Sequence, residues 1–240
     1  MWPRGSDPMD YRALAEQLQG PLGLRTRPLA MAFLPSPPAG IPRVDRPAAS
    51  GCTYWKLAAE GHPFYTEMAD HFGCAVGAYT HGIELPPEQA GELEGLIGTM
   101  TGLGYLRPEE IPQIPRRQER FGVLVYAPLA ETPCPPDVVL VRGNARQVMR
   151  VAEAAWSAGL RGDAATLGRP ACAMVPQAMR AGTGTASLGC IGNRVYTGLA
   201  DDELYFGIPG PKLAAVVERL AGILEANRAL EAYHLQRRDA

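Results

Sequence analysis

Two stretches of this chain say nearly the same thing, and that echo constrains the fold more than any other feature. MADHFGCAVGAYTHG at 68–82 and TASLGCIGNRVYTG at 185–198 each run into Gly-Cys. Each places a glycine two or three residues past the cysteine, a tyrosine five or six past it, and then Thr and Gly. The echo extends upstream. Cys52 opens a helix in CTYWKLAAEG that ends near Gly61, and Cys172 opens one in ACAMVPQAMRAG that ends near Gly182, broken by Pro176. A chain that repeats itself in this way is expected to be an internal duplication, with two similar, closely packed lobes at about 27–105 and 121–210 related by a pseudo-twofold axis.

Between these landmarks, helical and strand patterns alternate. FGVLVYAPL and PDVVLVRGN are continuous β-branched apolar runs of the kind buried strands show. HPFYTE and ELYFGIP read as further strands. MDYRALAEQLQG, PPEQAGELEGLIGTMTGLG and ARQVMRVAEAAWSAG have apolar residues at helical spacing, the last with Val148, Val151, Ala155 and Trp156 on one face. A long amphipathic helix closes the chain over 210–236, with Leu213, Val216, Val217, Leu220, Ile223 and Leu224 as its stripe. The expected fold class is α/β or α+β.

Composition sets limits. At 240 residues and 46% hydrophobic, the chain can bury a sizeable core, so residues 9–240 are expected to form one globular domain. The first eight residues, MWPRGSDP, read as a leader without an apolar segment, and Met9 as the native start. A net charge of −2 gives no basic excess for nucleic acid and no basic run for a membrane surface. No apolar run approaches the roughly 20 residues needed to span a bilayer. Five cysteines without an export signal point to reduced thiols and a cytoplasmic location.

The chemistry lies in the cysteines. Two Cys-to-Cys units, 52/74 and 172/190, related by a pseudo-dyad would bring four thiols to one point. Thiolates are soft ligands suited to iron–sulfur clusters, Zn²⁺ or Cu(I). Neither the short zinc-knuckle spacing nor ferredoxin-type spacing occurs, so such a site has to be assembled from distant segments. Gly73, Gly77, Gly189 and Gly192 would let backbone amides approach a bound group, and Tyr79 and Tyr196 would stand beside it. The competing reading is that the cysteines are small buried hydrophobes. Cys134, in ETPCPPD, stands outside the pattern. Asp70 and His71, close before Cys74, and Arg194, close after Cys190, are the polar candidates for catalysis or anion binding. GTGTASLG lacks the lysine of a phosphate-binding loop, and neither a G-x-S-x-G nor an H-E-x-x-H motif is present.

The segments CTYWKLAAEG, DHFGCAVGAYTHG, VLVYAPL, PDVVLVRGNARQVMRVAEA and SLGCIGNRVYTGLADDELYFGIP resemble the domain of unknown function 169 family, the archaeal conserved region proteins, over about residues 10–225. The resemblance implies a soluble α/β protein of a kind often found in anaerobes, with cysteines at the positions of Cys52, Cys74, Cys172 and Cys190, and implies no reaction. Ala75 departs from the proline common after the first repeat's second cysteine.

Together these readings give a metalloprotein that binds a [4Fe–4S] cluster through Cys52, Cys74, Cys172 and Cys190. It would act in electron transfer, redox sensing or cluster-assisted chemistry, with a redox partner protein and a homodimer as expected associations. The alternative is a module for a small-molecule or tetrapyrrole-like cofactor, with the cysteines lining an inter-lobe cleft and Tyr54, Trp55, Tyr79 and Tyr196 stacking on the ligand. A thiol enzyme with Cys74 as nucleophile and His71 as base is a third.

Overall fold

Four consecutive residues, Val138 to Val141, show how the sheet comes to be covered on both sides. Side chains alternate across a strand. Val139 and Val141 pack with helices on one face, and Val138 and Leu140 pack with a different set on the other. All four are essentially without solvent contact.

The computed structural model describes residues 9–160, 165–166 and 170–239; the expected leader at 1–8 lies outside them. The helices are α1 (Tyr11–Leu22), α2 (Gly51–Glu60), α3 (Ala75–His81), α4 (Pro87–Gly102), α5 (Ala145–Ser157), α6 (Met174–Ala181), α7 (Ile191–Thr197) and α8 (Leu213–Arg238). The strands are β1 (Leu29–Leu34), β2 (Phe64–Glu67), β3 (Val123–Pro128), β4 (Val138–Asn144), β5 (Ala165–Thr166), β6 (Thr185–Ser187) and β7 (Glu203–Pro209). They form one sheet in the order β2-β3-β1-β4-β7-β6-β5. Every pairing is antiparallel except the short β5–β6 pair. Mixed helices on a largely antiparallel sheet make this an α+β fold.

The two halves of the chain share that sheet and meet at β1 and β4, which pair at Leu29–Leu140, Ala30–Val139 and Met31–Val138. Outward from this seam the first half runs β1, β3, β2 and the second β4, β7, β6. In each half the earliest of these three strands is innermost, the latest is in the middle, and the one between is outermost. Helices α2 and α3 lie before and after β2 in the chain, as α6 and α7 do around β6. One face of the sheet carries residues of α1, α5 and α8. The other carries α2 and α6, with Cys52 and Cys172 in the same apolar cluster.

Two local expectations are corrected, and two short helices join those read from the sequence. The glycine-flanked segments after Cys74 and Cys190 are helices, α3 and α7, each closed by a left-handed glycine, Gly82 and Gly198. Pro176 does not break α6. It sits in the first turn, where a helix needs no amide donor. Trp156 leaves the buried face of α5 and is 55% exposed, while Ala154 takes its place. The closing helix buries residues from Leu213 to Leu224; further on it is tied to α5 by Asn227 on Glu153 and by the Arg146–Glu231 ion pair.

Candidate functional site

Each of the four repeat cysteines stands at the start of a helical segment. Cys52 is the second residue of α2, whose N-cap Ser50 accepts from the Cys52 amide at 3.3 Å. Cys74 is the N-cap of α3. Cys172 lies in a 3-10 turn over Ala171–Ala173 that leads into α6. Cys190 is the N-cap of α7, and its Sγ accepts from the Asn193 amide at 3.4 Å.

The fold brings these four side chains into one electrostatic neighbourhood. Burial pushes the Cys52 thiol up to about 12, and charge on Cys74 or Cys190 pushes it the same way. Burial likewise raises the Cys172 thiol well above its ordinary value, with contributions from Cys52, Cys74 and Cys190. Cys74 and Cys190 are half-buried and form the more open edge. Cys134 is apart: burial raises it, and its charged neighbour is Asp137. Among the described residues, no group of three or more His, Cys, Asp or Glu side chains is set so as to hold one metal ion.

Around the thiols stand buried polar atoms that lack hydrogen-bond partners among the described residues. These include the Tyr126 hydroxyl, His71 Nδ1 and both ends of the Asn193 carboxamide. Tyr126 feels Cys52, Cys74 and Cys172, after burial and Tyr54, and its hydroxyl is held well above the usual range. Asn193, 1% exposed, favours the Cys52 thiolate, and Thr80 favours that of Cys172. Native proteins leave few buried polar atoms unpaired, so a concentration of them calls for a partner. Tyr126, Asn193 and Thr80 were not distinguishable in the sequence. Asn193 and Thr80 lie inside the repeated segments, but nothing in a linear pattern tells which way a side chain points.

Of the other candidates, His71 is fully buried, its Nε2 at 2.8 Å from the Thr66 hydroxyl, and burial lowers its pKa to about 4. Asp70 is committed elsewhere: it pairs with Arg43 and accepts from the Glu67 amide at 2.8 Å. Arg194 donates to the carbonyls of Leu188 and Ala200, both at 2.7 Å, and so closes the loop around α7. Gly77 abuts the site, since a Cβ built on it would stand 2.9 Å from Cys74 Sγ. Gly73 instead packs against the Ala48 carbonyl, Gly189 supplies a positive φ of 75° before Cys190, and Gly192 borders open space. Tyr79 lies under Arg116, and Tyr196 is 43% exposed. Tyr54 and Trp55 are both buried. No helix among the described residues is long and apolar enough to cross a membrane.

The sequence over residues 17–219 matches the model of an uncharacterised family, ArCR, domain of unknown function 169. The chain belongs to the ArCR family. One similar ArCR-sized relative is the uncharacterized protein MJ0308 of Methanocaldococcus jannaschii, 30% identical over 172 residues that cover 67% of this chain and 71% of the relative. No solved structure matches. The ArCR model spans all four repeat cysteines and ends within α8.

Proposed function

We propose that this protein binds one iron–sulfur cluster, a [4Fe–4S] cube, through Cys52, Cys74, Cys172 and Cys190, and acts in electron transfer, redox sensing or cluster-assisted chemistry. The observation that carries the reading is the convergence of four helix starts, each with a cysteine, on one side of the sheet: Cys52 and Cys172 share one buried cluster, and Cys74 and Cys190 lie near enough for their charge to raise both. Structural disulfide or knuckle spacing is not what joins them; only tertiary folding does. A single tetrahedral ion with bonds of about 2.3 Å would draw its thiolates to within roughly 4 Å of one another. The four thiolates of a polynuclear cluster stand farther apart than that, on different irons.

The residues present fit such a group. Two thiols are desolvated, which disfavours their free anions and favours a bound cation core that takes up the charge. The Asn193 carboxamide and the Tyr126 hydroxyl would offer donors to an anionic assembly, and such hydrogen bonds tune a cluster's potential. When bound, the cluster would supply reversible one-electron chemistry, or a Lewis-acid iron if one cysteine does not ligate. The matching strand order of the two halves supports the further reading that they arose by duplication, each half contributing two ligands. An association with a redox protein, a homodimer and a cytoplasmic location belong to the same proposal.

Anaerobic purification tests it. Iron and inorganic sulfide in about equal amounts are expected, with loss of both on Cys172→Ala. A colourless, iron-free anaerobic preparation that also resists reconstitution with iron and sulfide would end the reading.

A further inference from the structure

Beyond the thiols, a second set of buried polar atoms is left without partners. Among the described residues, both ring nitrogens of His81, Nδ1 of His71, and Nε and Nη1 of Arg117 make no hydrogen bond. His71 and His81 are 0% and 1% exposed, and the Arg117 side chain is 10% exposed. The three groups form a continuous run. The two imidazoles meet at 5.8 Å between centroids, His81 meets Phe33 at 5.6 Å, and the Arg117 guanidinium lies 4.8 Å from the Phe33 ring and 5.1 Å from that of Phe121. The backbone fixes Arg117 beside His81, because its amide donates to the Thr80 carbonyl at 2.9 Å.

The charge in this run is uncompensated at hydrogen-bond range. Glu119 is the one carboxylate within 4.0 Å of Arg117 among the described residues, but it stands 3.9 Å from Nε and is 74% exposed. Asp137, which Arg117 also feels, directs Oδ2 to the Phe33 amide at 2.7 Å. Burial lowers His71 to about 4 and His81 to about 3, so both rings are neutral at pH 7. A neutral imidazole carries one N–H; that of His71 lies on Nε2 and donates to the Thr66 hydroxyl, which itself donates to the Leu124 carbonyl, whereas His81, with neither ring nitrogen partnered, still has its N–H to give. Arginine keeps its charge even where burial lowers its pKa. Buried charge without a partner is costly, and donors plus one cation specify an anion.

We infer that Arg117 and His81 receive the anionic group of a small ligand, a carboxylate or an inorganic oxyanion, with any remainder of that ligand lying toward His71 and the cysteine centre. The connection runs through His71. Its Nδ1 and Cys74 Sγ come to 3.9 and 4.0 Å of the same point, where a Cβ would stand on Gly51, and its carbonyl accepts from the Cys74 amide at 2.9 Å. The inference rests on the cluster reading only for what the far end of the ligand meets. Its ligand class is set by Arg117 and His81 alone.

Isothermal titration calorimetry of anaerobically prepared full-length protein with phosphate, sulfate and succinate, at constant ionic strength in chloride, tests it. At least one of the three is expected to bind saturably at one site. Arg117→Gln should weaken that binding by about tenfold or more, and Arg117→Lys by less, because Lys retains the charge without the fork. Should Arg117→Gln fail to fold, His81→Gln is expected to give the same weakening. No saturable binding of any of the three, or binding indifferent to both Arg117→Gln and His81→Gln, overturns the inference. Iron and sulfide measured on the same samples separate the two proposals. Iron with no anion site removes this one alone, and an Arg117-dependent anion site in protein that takes up no iron even on reconstitution removes the cluster reading alone.

Discussion

The Asp70 carboxylate is held at two points by Arg43, with Nε to Oδ2 at 3.1 Å and Nη2 to Oδ1 at 2.9 Å, and only the arginine reaches solvent. The Asp70 side chain is 2% exposed and that of Arg43 42%. The pair pins the 3-10 turn over Met68–His71, which carries His71 toward the thiols. Asp70 is thus a structural clamp rather than an acid–base group beside Cys74.

The asymmetry of that pair sets the order of two variants. Arg43→Met leaves a buried carboxylate with the Glu67 amide as its remaining contact and should be the more destabilising of the two. Asp70→Asn leaves Arg43 free to stay in water or on Glu67, at 2.8 Å, and should cost about 1–2 kcal/mol. Urea unfolding of both variants checks the order; no loss on Arg43→Met would mean that the arginine contributes nothing to holding the turn, and equal losses would remove the asymmetry.

Thiol reactivity should divide the cysteines in two ways. In metal-free folded protein, Cys74 and Cys190 are expected to react with iodoacetamide well before Cys52 and Cys172, whose burial raises their pKa values. In protein loaded with iron and sulfide, Cys74 and Cys190 should be protected while Cys134 still reacts. Peptide mass spectrometry reads both patterns, and protection of Cys134 along with the rest would point to general rigidification instead of ligation.

Two glycines of the repeats should behave oppositely. An alanine at Gly77 would place its methyl 2.9 Å from Cys74 Sγ, so the sulfur must swing away. Gly77→Ala is therefore expected to fold and to bind markedly less iron. Gly192, with nothing near its Cβ position, lies within α7, where alanine should add about 0.5–1 kcal/mol of stability and leave iron content unchanged. Thermal melts with iron analysis distinguish the two.

Acid should unfold the metal-free protein partly through His81. Its pKa falls from the ordinary 6.5 to about 3, mainly by burial, then by His71 and Arg117. Between those values the unfolded chain binds the proton and the folded one does not, so stability rises with pH there. The contribution is whole above pH 6.5 and is lost as pH falls toward 3. His81→Phe, which fills the space without a titrating group, should flatten that part of the stability–pH curve; an unchanged slope would show that His81 protonates freely in the native state.

Much of the fold was legible because burial imposes periodicity. The runs around Val125 and Val139 had to be strands covered on both faces, and the stripe from Leu213 to Leu224 had to be a helix. The repeated Gly-Cys segments marked two places where a short helix starts on a cysteine. What stayed hidden was local geometry that depends on neighbours. AVGAYTH and IGNRVYT carry glycine and β-branched residues, yet they fold as helices because the cysteine before each and the left-handed glycine after each supply the ends. Arg194 reads as an anion binder in sequence, but nearby carbonyls claim it first. Arg117 carried no signal at all, since nothing in RRQERFG tells which of its charges is sealed between two phenylalanine rings.

The meeting of the two halves at β1 and β4 also dictates an order of events. Two sulfurs arrive with segments attached to the first half and two with the second, and the last of them, Cys190, is set in place by a loop that leads into β7. If the four thiols do hold one inorganic assembly, it could find all its anchors only after the chain has emerged through β7 and that strand has docked along β4. Completion of the sheet would then be the step that any maturation has to wait for.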